Sequence, residues 1–264
     1  MNVLEFVKEM KEKATKELLA ISKTGKSIEK TYKFKIGQAD IVTIRGGAIE
    51  KAAITHMVFR GLSIDRAPGA DMGVKYSGEE ERADGMVYQM EVFPENPYCP
   101  MGHFNTEWSR KGSGSYQYTM NLDLFPAVRV EEDLEGMKRL MDGVADRFGR
   151  DRGKIREGLD VHYNMKHWAF PLATKVGCKL IALEERHVDL FIEAYRTFFS
   201  GYLEILKKRK DTPFGETESG LKLERNGKWL EYLTLKDDAI KAAQATGSPP
   251  EVIIGLSYPP SAVF

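Results

Sequence analysis

The stretch ENPYCPMGHFN, residues 95–105, combines turn-forming residues with side chains that can take part in chemistry. Two prolines and a glycine predict a loop between strands, and His103 and Asn105 stand at its end. An imidazole and a carboxamide can each donate and accept hydrogen bonds. We therefore predict a loop that presents His103 and Asn105 to a ligand. The alternative is that both side chains only hold the loop in place.

Two aspartates stand out for their surroundings. Asp123 lies in MNLDLFP, where leucines flank it and a proline follows, and Asp237 ends the segment LEYLTLKD, which we predict to be a strand. A carboxylate among apolar neighbours tends to have a raised pKa and can act as an acid, a base or an anchor for a cation. The alternative for each is an aspartate that caps a turn.

The five histidines do not form a recognisable metal motif. His162 and His167 are five positions apart, which places them on different faces of a helix, and the metalloprotease spacing is missing. The chain has only two cysteines, Cys99 and Cys178, so we do not predict a thiolate zinc site. Such a low cysteine content is typical of a protein in the reducing cytoplasm. We predict no metal. A metal-dependent enzyme that uses His103 with His162 and His167 stays as an alternative.

The composition excludes several classes of function. Lysine plus arginine and aspartate plus glutamate both number 39, so the chain shows no overall charge that favours nucleic acid or an anionic membrane. We find no apolar run long enough to span a membrane and no apolar signal core in the charged N-terminal segment. Phosphate-binding glycine loops and the nucleophile elbow of hydrolases are also missing. We expect a cytoplasmic protein without nucleic-acid or membrane partners.

Hydrophobic periodicity predicts one α+β domain over residues 1–264, built on a mainly antiparallel sheet. A first amphipathic helix is followed by strands from about Lys30 to Phe59, with a hairpin turn at RGG. After a polar loop at 67–84 come further strands up to about Val128.

The second half is predicted to be mainly helical. Helices are expected at Glu131–Gly149, at Gly153–His167 and after the strand VGCKLIALEE. The segment LKLERNGKWLEYLTL is predicted to be a hairpin that turns at Asn226 and Gly227, because Asn-Gly is a strong turn signal. The segment EVIIGLSYPP is predicted to be a final strand.

Several motifs resemble those of the oxygen-dependent coproporphyrinogen III oxidases, in the same order along nearly the whole chain. PFGETESGLKLERNGKWLEYLTLKD is similar to the family's F/Y-G-E-R-E and R-R-G-R-Y-V-E-F-N-L-V-x-D-R-G, with Asp237 in step. ENPYCPMGHFN matches the family's H-P-x-N-P-x-x-P-T-x-H-x-N at His103 and Asn105. Asp123 and Pro126 stand where the family has G-G-G-x-D-L-T-P. IRGGAIEKAAITHMVFRG and EVIIGLSYPP resemble two further family segments.

The resemblance implies a large antiparallel sheet sandwiched between α-helices, and a homodimer. It also implies that O2 converts two propionates of coproporphyrinogen III to vinyl groups without a cofactor, releasing CO2 and peroxide. Asp123 and Asp237 would lie near the pyrrole N–H groups, with His103 as a further catalytic residue. Asn105 and His167 would contact the substrate.

The departures from the family pattern concern the substrate's carboxylates. Glu107 and Asp238 stand where the family has arginines, which reverses the charge at positions suited to a propionate. The propionates would then be held by other cations, for which the candidates are Arg45, Arg60, Arg110, Lys175 and Arg209. Two functions therefore stay open from the sequence: an oxidase of a reduced tetrapyrrole, and a non-catalytic tetrapyrrole-binding protein on the same fold.

Overall fold

A seven-stranded antiparallel sheet forms the centre of the protein. The computed structural model describes residues 2–63, 82–111, 114–237, 239–240, 243 and 247–264. Within these residues the strands lie in chain order, and each is hydrogen-bonded to the next. Their bounds are β1 Lys26–Phe34, β2 Gly37–Gly46, β3 Ile49–Ser63, β4 Arg82–Pro94, β5 Met101–Lys111, β6 Gln117–Phe125 and β7 Cys178–Glu184.

Helices cover both faces of this sheet, as the predicted fold class requires. They are α1 Val3–Ser22, α2 Glu131–Arg147, α3 Leu159–His162, α4 Val188–Arg209, α5 Glu216–Leu235 and α6 Pro250–Ser257. Short 3₁₀ turns lie at Lys154–Arg156 and Glu185–His187. The expected α+β class, with a large antiparallel sheet between helices, is confirmed.

The first face of the sheet carries the larger apolar core, against α1, α2 and α4. Successive side chains of a strand point to opposite faces, and on β5 Phe104 projects into this core. Its ring contacts four aromatic rings of α4, those of Tyr195, Phe198, Phe199 and Tyr202. A Cβ at the neighbouring Gly102 would lie 2.6 Å from the ring of Tyr202, so the close approach of α4 requires glycine there.

The second face packs against α5, α6 and the segment 159–173. At one end of the central strands, Phe93, Met101 and Phe125 pack on Trp229 and Tyr232 of α5. Lys51 of β3 is buried here and donates to the carbonyl oxygens of Ile254 and Tyr258. Burial, followed by repulsion from Arg45, lowers the pKa of Lys51 to about 7. The amino group of Lys51 thus joins the end of α6 to the sheet.

The predicted hairpin at Asn226 and Gly227 is wrong, because these residues lie inside α5. Buried positions of α5 include Arg225, Trp229 and Tyr232, which have helical spacing. A Cβ at Gly227 would lie 1.9 Å from the carbonyl oxygen of Val263. The glycine therefore allows the close approach of the C-terminal segment and does not mark a turn.

Other segments also differ from the predictions. EVIIGLSYPP was expected to be a strand, but it contributes α6, whose buried Val252, Ile253 and Leu256 lie on one helical face. The predicted helix over 153–167 is reduced to a 3₁₀ turn and the short α3. Residues 67–81 of the predicted polar loop lie outside the described residues, and 82–84 begin β4.

Candidate active site

A row of polar side chains crosses the second face of the sheet. Thr55 pairs with Gln89, Gln89 with Asn105, Asn105 with Asn121, and Asn121 with Lys179. Because directly paired residues project to the same face, these side chains form one line across β3 to β7, which we call the polar row. Gln89 and Asn105 are half-buried, whereas Thr55 and Asn121 are buried. Residues 95–100 form the predicted loop between β4 and β5, but His103 and Asn105 lie on β5 itself and not in that loop.

A second line of side chains lies beside the polar row on the same face. Its members are two residues away along each strand, toward the end of the sheet that packs on α5. In this line, Glu91 of β4 pairs directly with His103 of β5, and His103 pairs directly with Asp123 of β6. All three are almost completely buried. Three ionisable side chains thus meet on adjacent strands, although they are up to 32 positions apart in the chain (123 − 91).

His103 links Glu91 to Tyr163. Its Nδ1 lies 2.7 Å from Oε1 of Glu91, and its Nε2 lies 2.7 Å from the hydroxyl oxygen of Tyr163. The imidazole stacks on Phe125 and also contacts the ring of Trp229. Burial, followed by the nearby Tyr232 and three acidic groups, raises the pKa of Tyr163 well above its usual value. The tyrosine hydroxyl therefore keeps its proton and can donate a hydrogen bond to His103.

Asp123 is held by the segment 174–177. Its oxygens accept hydrogen bonds from the hydroxyl of Thr174 at 2.9 Å and from the backbone N–H groups of Lys175 at 2.9 Å, Val176 at 3.1 Å and Gly177 at 3.3 Å. Lys175 adopts a left-handed φ of 60°, which turns the backbone toward the carboxylate. Burial raises the pKa of Asp123, and these hydrogen bonds oppose the rise. The carboxylate of Asp123 is thus already well supplied with donors.

Asp237 has the character of a capping residue. It follows α5, and its Oδ1 accepts from the N–H groups of Ala239 at 2.7 Å and Ile240 at 3.3 Å. Its charge contributes to the raised pKa of Tyr163. The prediction that it ends a strand is wrong, because the preceding segment is helical.

The two remaining histidines of interest have separate partners. His167 is largely exposed, and its Nε2 lies 2.6 Å from Oε1 of Glu231. His162 is packed against Tyr163, and its Nε2 lies 3.1 Å from the hydroxyl of Tyr232. Burial, followed by repulsion from Lys179, lowers the pKa of His162 to about 3. Among the described residues, no group of three histidine, cysteine or acidic side chains is arranged to hold a metal.

The cations predicted to bind the substrate's propionates lie in different parts of the structure. Arg45 and Arg60 are exposed on β2 and β3. Arg110 alternates with Ser109 on β5, so it lies on the first face, where it covers the ring of Tyr116 at 5.2 Å.

Two further cations are engaged in ion pairs. Arg209 pairs with Asp133 of α2 at 2.7 Å, and Lys175 pairs with Asp160 at 3.0 Å. Asp238, which stands in place of a family arginine, lies outside the described residues. Lys179 is the cation that the polar row itself contains.

Several residues of this region were not singled out from the sequence, namely Gln89, Glu91, Asn121, Tyr163 and Trp229. The amino-acid sequence contains a pattern that could have identified some of these residues. QMEVF and GHFNTEW alternate polar and apolar residues within strands that are covered on both faces. Such alternation in a doubly covered sheet indicates a polar surface under the second layer, where a ligand can bind.

Several buried acceptor atoms on this face lack hydrogen-bond partners in the described part of the chain. They include Oγ1 of Thr55, Oε2 of Glu91 and Oδ1 of Asn105. Buried polar atoms in native proteins are nearly always satisfied by protein, water or ligand. The second face therefore has the acceptor atoms that a ligand rich in N–H donors requires.

The fold and this surface define the class of the protein: a helix-covered antiparallel sheet with a polar, acceptor-rich second face. The family described as Coproporphyrinogen III oxidase matches residues 2–264. The chain belongs to this family. The family predicted from the sequence motifs is thereby confirmed, together with the reaction type of that family, oxidative decarboxylation in haem biosynthesis.

Curated relatives agree with this assignment. Oxygen-dependent coproporphyrinogen-III oxidases of Coxiella burnetii strains Dugway 5J108-111, RSA 331 / Henzerling II and RSA 493 / Nine Mile phase I are similar to the chain. Each is 25% identical over 237 residues, which cover 86% of this chain and 74% of the relative. In the described residues, no helix is both long and apolar enough to cross a membrane.

Proposed function

We propose that this protein oxidatively decarboxylates coproporphyrinogen III, converting propionate side chains to vinyl groups. The observation that carries the proposal is the family match over residues 2–264, joined to the acceptor-rich second face of the sheet. In this proposal O2 is the co-substrate and no organic cofactor or metal takes part.

The chemistry of the second face suits a reduced tetrapyrrole. Each pyrrole ring of a porphyrinogen presents an N–H donor, and the Thr55 hydroxyl and the Asn105 carbonyl offer buried acceptors. Positive charge that develops on a pyrrole during oxidation is stabilised by fixed acceptor dipoles and carboxylates. Lys179, at the end of the polar row, is placed to attract a carboxylate of the substrate.

The test is an anaerobic incubation with coproporphyrinogen III, followed by admission of air and chromatography of the fully oxidised products. A monovinyl or divinyl product in excess of a protein-free control supports the oxidase. Unchanged coproporphyrin as the product in both samples refutes it.

A second candidate function is a non-catalytic tetrapyrrole-binding protein. Two observations favour it: the donors already bound to Asp123, and the acidic Glu107, buried on the second face where the family has an arginine. Quenching of tryptophan fluorescence by coproporphyrin III, without any vinyl product, would identify this function.

We further propose that the protein acts as a homodimer in the cytoplasm. The proposal follows the family resemblance, and the apolar C-terminal segment SYPPSAVF adds support, since Phe264 and Val263 are exposed. Light scattering of the purified protein tests the dimer, and a mass near 29.9 kDa, that of one chain, would refute it.

A further inference from the structure

Glu91 of β4 is a buried carboxylate with one oxygen still open. Its Oε1 accepts from Nε2 of Gln89 at 2.9 Å and lies 2.7 Å from Nδ1 of His103. Its Oε2 is buried and has no hydrogen-bond partner in the described part of the chain. An open oxygen on a buried carboxylate is costly unless water or a ligand supplies a donor.

Asp123, two strands away in the same line, differs from Glu91 in its hydrogen bonds. Both of its oxygens accept hydrogen bonds from the segment 174–177. A new N–H donor would have to displace one of these bonds. Of the two carboxylates that flank His103, Glu91 is therefore better able to accept a donor from a ligand.

The contacts of His103 and Gln89 with the other carboxylate oxygen, Oε1, orient Oε2 of Glu91. Oε1 of Glu91 and the hydroxyl oxygen of Tyr163 each lie 2.7 Å from a ring nitrogen of His103, so the imidazole is held between the carboxylate and the tyrosine. The rings of Phe125 and Trp229 hold the imidazole in place. Gln89, half-buried in the polar row, fixes the same oxygen from the other side.

We propose that Glu91 is a catalytic residue whose Oε2 accepts an N–H donor of the bound tetrapyrrole, and that His103 and Tyr163 are positioning residues that orient it. This inference rests on the proposed function. A pyrrole N–H becomes a stronger donor as its ring is oxidised, so an oriented carboxylate binds the transition state more tightly than the ground state.

The first test compares Glu91→Gln with the wild type in steady-state turnover of coproporphyrinogen III. We expect kcat to fall about 100-fold, the usual effect of losing one preorganised electrostatic contact, with little change in KM. The control is Asp133→Asn, which neutralises a buried carboxylate on the opposite face and should keep the wild-type kcat. A folded Glu91→Gln protein with the wild-type kcat would overturn the proposal. If Glu91→Gln does not fold, Glu91→Asp replaces it, because the shorter side chain keeps the charge but moves the oxygen away from the ligand. A wild-type kcat in Glu91→Asp would also overturn the proposal.

The second test separates positioning from a general structural role. Tyr163→Phe should lower kcat about fivefold in the wild-type background, which corresponds to one ordinary hydrogen bond, and should have no effect in the Glu91→Gln background. Equal losses in both backgrounds would refute a role that acts through Glu91.

A failure of the proposed function would be recognised separately. If the wild type forms no vinyl product, the affinities of wild type and Glu91→Gln for coproporphyrin III are compared by quenching of tryptophan fluorescence. Weaker binding by the variant, by about tenfold for a hydrogen bond to a charged group, would retain Glu91 as an N–H acceptor. Equal affinities would refute the inference as well.

Discussion

His103 and Asp123 are paired directly across β5 and β6, yet they belong to two different hydrogen-bonding groups. His103 is bonded to Glu91 on β4 and to Tyr163, whereas Asp123 receives donors from the segment 174–177. The imidazole is therefore oriented from one side, and Asp123 anchors the chain that leads into β7 on the other. This division assigns the two residues different functions.

The anchoring function of Asp123 predicts a large effect on stability. In Asp123→Ala, the buried N–H groups of Val176 and Gly177 lose their acceptor, so the free energy of unfolding should fall by at least about 3 kcal/mol. Urea denaturation measures the change. The exposed Asp151 also accepts backbone N–H bonds, so Asp151→Ala is a matched control with an expected loss of about 1 kcal/mol. Similar losses in the two variants would contradict the anchoring function.

The orientation of Glu91 by His103 predicts a specific rescue. The side-chain amide of asparagine can place an N–H near the position of the imidazole Nδ1, so His103→Asn should keep more of the wild-type kcat than His103→Leu. We expect a difference of about tenfold, as for a hydrogen bond to a charged acceptor. Turnover of coproporphyrinogen III measures it once both variants are shown to be folded. Identical activities would indicate that the donor to Glu91 is unimportant.

Gly227 predicts a steric effect that a turn glycine would not show. In Gly227→Ala the new Cβ would collide with the carbonyl oxygen of Val263, which must move, and the stability should fall by about 1–3 kcal/mol. Gly220 lies in the same helix, and a Cβ there would have no neighbouring atom within 4 Å, so Gly220→Ala should gain up to about 1 kcal/mol. Thermal unfolding of both variants checks the contrast in sign.

His162 predicts a loss of stability in mild acid. Its pKa is about 3 in the folded protein, against an ordinary value of 6.5, so the unfolded chain takes up the proton first as the pH falls. The contribution of His162 to the free energy of unfolding is therefore fully present above about pH 6.5 and falls below it, by up to about 1.4 kcal/mol per pH unit. Urea denaturation between pH 7 and pH 5 measures the slope.

The matched variants for this slope are His162→Gln and His187→Gln. The glutamine amide can still bond to Tyr232 but does not titrate, so His162→Gln should show a shallower slope than the wild type. His187→Gln, which alters the 3₁₀ turn before α4, should keep the wild-type slope. An unchanged slope in His162→Gln would exclude His162 as its source.

The amino-acid sequence was sufficient for the fold class and for most strands. Segments such as QMEVF and HFNTEW alternate polar and apolar residues, and this alternation predicts strands. Successive side chains of a strand point to opposite faces of the sheet, and here each face is covered by a different layer. The same reasoning failed in α5, where Asn226-Gly227 suggested a turn. The backbone there is helical, and the glycine is explained by a contact with Val263, which lies 36 positions further along (263 − 227).

Motif order and periodicity are properties of the chain, so they were enough to predict the family and the antiparallel sheet between helices. They also singled out His103, Asn105 and Asp123 as candidate site residues. The partners of these residues emerged only on folding. The pairing of Glu91 with His103 depends on the register of β4 and β5, and the capping of Asp123 depends on a segment about 50 positions away. Register and long-range packing are set by the burial of the whole sheet. For that physical reason, the open oxygen of Glu91 became apparent only in the folded protein.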